Sequence, residues 1–142
     1  MQPNIDQELL FNLKLPAEAD RLALVRSVVQ RAIENAGCDN ELAQKIVIAV
    51  NEACMNIIQH AYKDIKKGEF ELELTRDKDS LYFRLIDHAP HIDLEKVKPR
   101  DLDDIRPGGL GIHFINEIMD DFKIGHLDND KGNYMEMRIN ID

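Results

Sequence analysis

The chain has 142 residues, 44% hydrophobic and 32% charged, a composition that suits one globular domain spanning residues 1–142. Eighteen Lys and Arg against 27 Asp and Glu give a net charge of -9, which argues against a nucleic-acid backbone or an anionic membrane as the main partner, because like charges repel. No apolar run reaches the length of a membrane span, and the opening M-Q-P-N-I-D-Q-E has neither the basic nor the apolar stretch of a signal peptide, so the expected location is cytoplasmic.

Leu9, Phe11, Leu13 and Leu15 recur with period two, which predicts a strand with one buried face. Pro16 ends it and suits the first turn of a helix. From Ala17 to about Asn35, Leu22, Val25, Val28, Val29, Ala32 and Ile33 recur at helical spacing, with Gly37 as the C-terminal cap. Asp39 or Asn40 caps a second helix that runs to about Tyr62, with Leu42, Ala43, Ile46, Val47, Ala49, Val50, Ala53 and Ile57 on its apolar stripe. Cys38 falls in the turn between these helices and Cys54 beside the stripe. With no metal-ligand spacing, both are expected as free thiols in a reducing compartment.

Phe70, Leu72 and Leu74 alternate with Glu69, Glu71, Glu73 and Thr75, predicting a strand with an acidic outer face. After a polar turn at Asp77–Ser80, Leu81 to Ile86 is apolar at nearly every position and should be a central strand, ended by Asp87. His88 to Pro107 shows no long periodic element, and a loop of about twenty residues in so small a domain is most often functional. Gly108-Gly109-Leu110-Gly111 opens a third helix with Ile112, Ile115, Ile118 and Met119 as its apolar positions. Phe122–Gly125 and Tyr134–Ile141 are strands around a turn at Asp128–Gly132. The order β-α-α-β-β-loop-α-β-β predicts a two-layer α/β sandwich: a mixed, mostly antiparallel sheet with three main helices on one face.

Three constellations can carry chemistry. Glu52, Asn56 and His60 stand four residues apart, so they stack along one face at the border of the apolar stripe. A carboxylate there can take a proton from a hydroxyl, and an amide oxygen one turn on suits Mg²⁺; the alternative is a solvated edge row. Asp87, at a strand end, can accept a hydrogen bond from an exocyclic amine such as that of adenine, or can be a turn or cap residue. His88 and His91 with Asp87 or Asp93 lack a third ligand at a familiar metal spacing. In Arg106-Pro107-Gly108-Gly109-Leu110-Gly111-Ile112-His113, glycines admit close approach of an anion to the backbone. The helix N-terminus that follows presents free N–H groups to it, and Arg106 can add a charge-assisted contact. No GK[ST] follows and no strand precedes, so this is neither a Walker loop nor a dinucleotide fingerprint.

Taken together in this order, the three stretches resemble the N, G1 and G2 boxes of the gyrase, heat-shock-chaperone and histidine-kinase ATP-binding superfamily, which has the Bergerat fold. N-E-A-C-M-N-I-I-Q-H-A-Y and G-G-L-G-I-H-F-I-N-E-I-M-D-D-F look most like those of the small bacterial anti-sigma-factor serine kinases and their stand-alone relatives. The resemblance implies ATP and Mg as cofactors. It makes Glu52 the general base, Asn56 the Mg ligand and Asp87 the adenine-binding aspartate. Gly109 and Gly111 match the glycines of an ATP lid running from Asp93 to Gly108. Asn133, after Gly132, stands where the family often has Thr beside the adenine. His60, Ile92, Arg106, Gly108, Leu110 and Ile112 complete the implied nucleotide-binding set. Ala89 departs from the family's Asp-x-Gly, and its methyl is expected to crowd the nucleotide or reshape the loop.

The implied activity is a serine/threonine protein kinase that phosphorylates a STAS-domain anti-anti-sigma protein and holds a sigma factor or another client; a homodimer is compatible with it. The competing expectation is a nucleotide-dependent partner-switching module without phosphotransfer, which Ala89 favours.

Overall fold

The computed structural model describes residues 7–61, 68–90, 109–127 and 131–141. Strand β1 is Glu8–Pro16, helix α1 Leu22–Asn35, helix α2 Asn40–Asn56, strand β2 Glu69–Arg76, strand β3 Ser80–Pro90, helix α3 Gly109–Ile118, strand β4 Asp121–His126 and strand β5 Lys131–Asn140.

The sheet has the order β1-β2-β3-β5-β4, and β3 is central, as its apolar sequence predicts. All four pairings are antiparallel, so the mixed character expected for the sheet is absent among the described residues. The reason is topological. Strands β3 and β4 run parallel, but β5 returns between them, and β2 likewise separates β1 from β3.

Side chains directly opposite on paired strands share a face. Leu72 faces Leu85, which faces Met135; Leu74 faces Phe83, which faces Met137. These residues are buried in one core with Leu22, Val25, Val29 and Ile33 of α1 and Ala43, Ile46, Ala49, Val50 and Ala53 of α2. Small residues at 43, 49 and 53 let α2 lie close to its neighbours. The other sheet face carries Glu71, Glu73, Tyr82, Arg84 and Glu136, none of them buried.

The helix ends are chemically specified. Leu42 N–H donates to Asp39 Oδ1 at 2.8 Å, so Asp39 is the N-cap of α2. At the end of α1, Gly37 N–H donates to the Glu34 carbonyl and Cys38 N–H to that of Ile33, with Gly37 at φ 91°. This is a Schellman closure that favours glycine.

Several boundaries differ from the sequence expectation, among them the start of β5, which is Lys131 and not Tyr134. Strand β1 includes Pro16, a 3-10 turn fills Ala19–Arg21, and the first helix starts only at Leu22. Proline is tolerated there because β1 is an edge strand. The second helix is regular only to Asn56, and Ile57–Ala61 form a π turn; Tyr62 lies outside the described residues. Strand β3 does not stop at Asp87 but continues to Pro90, with a register irregularity between the two.

Candidate active site

The inward row of β3 is Leu81, Phe83, Leu85, Asp87 and Ala89, every one of them buried. Asp87 therefore occupies a core position and carries a carboxylate where the pattern calls for an apolar side chain. It is 4% exposed and sits opposite Phe70 on β2 and Asn133 on β5. Asn133 Nδ2 donates to Asp87 Oδ1 at 2.9 Å, and Ala89 N–H donates to the same oxygen at 3.0 Å. Burial lifts the Asp87 carboxyl above the usual carboxylate range; the hydrogen bonds from Asn133 and Ala89 oppose that rise.

The backbone supports this corner at Gly132. Its φ is 118°, and a Cβ there would lie 2.5 Å from Leu127 Cδ1 and 3.1 Å from the Asp87 carbonyl oxygen. Glycine lets β5 bring Asn133 against Asp87 at this close approach. Ala89 adopts no strained backbone, since no described residue other than glycine has a positive φ. Ala89 is 1% exposed and belongs to the core.

The second cluster lies at the end of α2. Asn56 is 7% exposed, and its Nδ2 has no hydrogen-bond partner among the described residues. A buried amide left unpaired costs about 1–3 kcal/mol unless something completes it. Glu52, one turn earlier, is half-buried. Neighbouring Asn51 is tied to α1 by a 3.0 Å hydrogen bond from Arg26 Nη1. His60 falls in the π turn that follows α2. Cys54, also here, is fully buried, and burial pushes its thiol up to about 12, so it is no nucleophile at neutral pH.

Gly109, Leu110, Gly111 and Ile112 open α3, and Ile112 is buried in the core. Ile92, Arg106, Gly108 and the rest of the expected lid lie outside the described residues. Among the described residues no three His, Cys, Asp or Glu side chains gather as a metal site. No described helix is long and apolar enough to cross a membrane. A groove of about 270 Å³ on the opposite sheet face involves Tyr82, Arg84, Glu136 and Arg138 and none of the site residues.

The sequence did not disclose the Asp87–Asn133 bond. Those residues are 46 positions apart, and strand register is what joins them. The period-two parity from Leu81 to Asp87 was the available sign that Asp87 points inward.

The family model of the histidine kinase-like ATPase domain matches residues 15–139. The serine-protein kinase RsbW of Bacillus cereus strain AH187 is 32% identical over 124 residues, 82% of this chain and 77% of that kinase. The chain belongs to the RsbW family of histidine kinase-like ATPase domains. RsbW of Bacillus velezensis is 31% identical over 123 residues, 80% of this chain and 76% of that one.

Solved structures agree with this RsbW-family fold. The RsbU and RsbW domains of a Mycobacterium tuberculosis protein match with a TM-score of 0.65 at 17% identity, over 91% of this chain and 31% of theirs. The Pseudomonas aeruginosa SiaB–SiaC complex matches at 0.71 and 12% identity, over 92% of this chain and 89% of the matched one.

Proposed function

We propose that this RsbW-family protein is a serine/threonine protein kinase that uses Mg-ATP to phosphorylate a STAS-domain antagonist, and that it holds a sigma factor or another client in a partner switch. The observation that carries the nucleotide part is the buried Asp87. A carboxylate kept in an apolar row against its desolvation cost is better explained by a ligand than by the fold. Its chemistry fits the exocyclic amine of adenine. The unpaired Nδ2 of Asn56 supports a second contact, to an acceptor such as a phosphate oxygen, because it sits buried with a donor to spare; a metal would take Oδ1 instead.

In this reading Asp87 binds the base, and Asn56 would hold Mg²⁺ beside the phosphates. When bound, the metal neutralises charge on the transferring phosphoryl group. Glu52 accepts the proton of the attacking serine hydroxyl while that oxygen forms its bond to the γ-phosphorus, and ADP leaves with the electrons of the broken bond. The half-buried position of Glu52, beside Asn56 in the helix, suits that role. The alternative, a switching module without phosphotransfer, rests on Ala89, a buried residue with an unstrained backbone.

The test is radiolabelled ATP with the proteins that co-purify from the native cell. Label on a serine or threonine of a STAS-type partner is expected. Partner exchange that responds to ATP with no label transferred would leave the switching module in place of the kinase.

A further inference from the structure

The outer face of the sheet carries a charge pattern that the candidate active site does not use. Glu73 on β2 stands opposite Arg84 on β3, Arg84 opposite Glu136 on β5, and Glu136 opposite Lys123 on β4. The strands lie in that order in the sheet. One row across it therefore reads minus, plus, minus, plus, at about 4.8 Å per step. Arg84 and Glu136 are its inner pair, with Nε and Oε1 3.5 Å apart, and that Nε makes no hydrogen bond among the described residues. Helices α1, α2 and α3 bury their apolar residues against the other face, while a groove of about 270 Å³ runs along this one.

A four-place row that alternates in sign is its own complement when reversed. A half-turn about an axis parallel to the strands, midway between β3 and β5, lays a second copy's sheet on this one. The partner's Lys123 then stands over Glu73, and the partner's Glu136 over Arg84. In the flanking rows Tyr82 meets the partner's Arg138 and Ile86 the partner's Tyr134, because each of those pairs is already in cross-strand register. Stacked sheets lie about 10 Å apart, a gap that Arg, Lys and Glu side chains can span from both sides. Moving the axis onto β3 or β5 would set like charges face to face, so the row also selects the register.

We propose that this face is a self-docking surface: a second copy of the chain packs on it sheet to sheet, with Arg84 and Glu136 of each copy paired to Glu136 and Arg84 of the other. Covering these charges is costly unless each finds a partner, and this orientation pairs all four. The inner pair lies closest to the axis and best tolerates the rotation of about 30° between stacked, twisted sheets. Asp87 lies on the opposite side of the sheet, so a nucleotide site there stays open in both copies. The inference stands apart from the nucleotide reading.

The test is sedimentation of the whole chain, without nucleotide, over a range of protein and salt concentrations. The wild type should sediment at twice the chain mass and dissociate as salt rises. Arg84→Glu and Glu136→Arg each set like charges together at two contacts, and each should raise the dissociation constant about 100-fold. An equimolar mixture of the two variants should recover the dimer, because every contact then joins the acid of one to the base of the other. Mixing cannot restore the Arg84–Glu136 pair within a chain, so recovery reports contact between copies. If thermal melts show that a reversal does not fold, Arg84→Gln and Glu136→Gln replace the pair, and each should weaken the dimer about ten-fold.

A wild type that stays monomeric at every concentration, leaving the face to solvent or to another partner, would overturn the inference. Variants that dimerise like the wild type, or a mixture of the two reversals that stays monomeric, would overturn it as well.

Discussion

The two ends of the candidate site are built differently. At one end Asp87, Asn133 and Ala89 are buried, with Asn133 and Ala89 both donating to Asp87, and are held by strand register. At the other, Asn56 is buried with an unpaired amide nitrogen, and Glu52 is half-buried at the helix surface. The first end is preformed, and its geometry exists before any ligand arrives. The second has spare hydrogen-bonding capacity that the described residues do not use. Preformed geometry serves recognition, because it costs little ordering on binding. Spare capacity serves chemistry, where charge must be met as it develops.

The largest effect should come from the chemical end. Glu52→Gln keeps the shape of the side chain and removes its charge. Phosphotransfer should fall by about 10²–10⁴ with ATP affinity nearly intact, measured by single-turnover label transfer and by calorimetry. A parallel loss of affinity would mean that Glu52 binds rather than takes a proton.

At the preformed end, Asp87→Ala removes a charged hydrogen bond worth about 1.5–3 kcal/mol. ATP and ADP should weaken together by roughly ten- to a hundred-fold, and GTP should already bind poorly to the wild type. Equal wild-type affinity for ATP and GTP in calorimetry would remove the distinction between the ends.

Two glycines sharpen the comparison on stability. Gly132 and Gly37 both have positive φ, but a Cβ at Gly132 meets Leu127 and the Asp87 backbone, whereas one at Gly37 meets nothing within 4 Å. Gly37→Ala should cost about 1–2 kcal/mol from the left-handed conformation alone. Gly132→Ala should cost more than that and should also weaken ADP binding, since it displaces Asn133. Denaturant unfolding of the two variants with and without ADP separates the effects.

The smallest effect is in pH dependence. Burial raises the folded-state pKa of Asp87 above its ordinary 3.8. The folded state thus holds this proton more tightly than the unfolded one. The stabilisation is complete below the ordinary value and is lost as pH rises through the folded one. Asp87→Asn removes this titration while keeping an oxygen that can accept from Asn133. The stability of the wild type relative to Asp87→Asn should therefore fall as pH climbs from about 3.8 and level off above the folded value. A difference that stays flat in denaturant melts across that range would show that the carboxylate is not desolvated.

Local patterns in the sequence carried much of the architecture. Leu22, Val25, Val29 and Ile33 announce α1, Asp39 and Gly37 announce the turn to α2, and the apolar run from Leu81 marks the central strand. Non-local features were not legible in the same way. The Asp87–Asn133 pair depends on the register between β3 and β5, which no local spacing encodes. The run of apolar residues stops at Asp87, so the strand was expected to stop there. Backbone pairing carries it to Pro90 instead. The switch from α to π after Asn56 has no residue signature either, for Ile57 and Ile58 continue the helical pattern without a break. Asn56 was legible as a polar group at the edge of the apolar stripe, but its burial and its unpaired nitrogen emerge only from packing.

ADP titrated calorimetrically in Mg²⁺ and in EDTA, into wild type, Asp87→Ala and Asn56→Ala, tests most directly whether the site has two separable ends. Asp87→Ala should weaken binding by the same factor with and without the metal. Asn56→Ala should match the wild type in EDTA and lose only the increment that Mg²⁺ adds. A loss for Asn56→Ala that is the same in EDTA, or a loss for Asp87→Ala that appears only with Mg²⁺, would contradict that division.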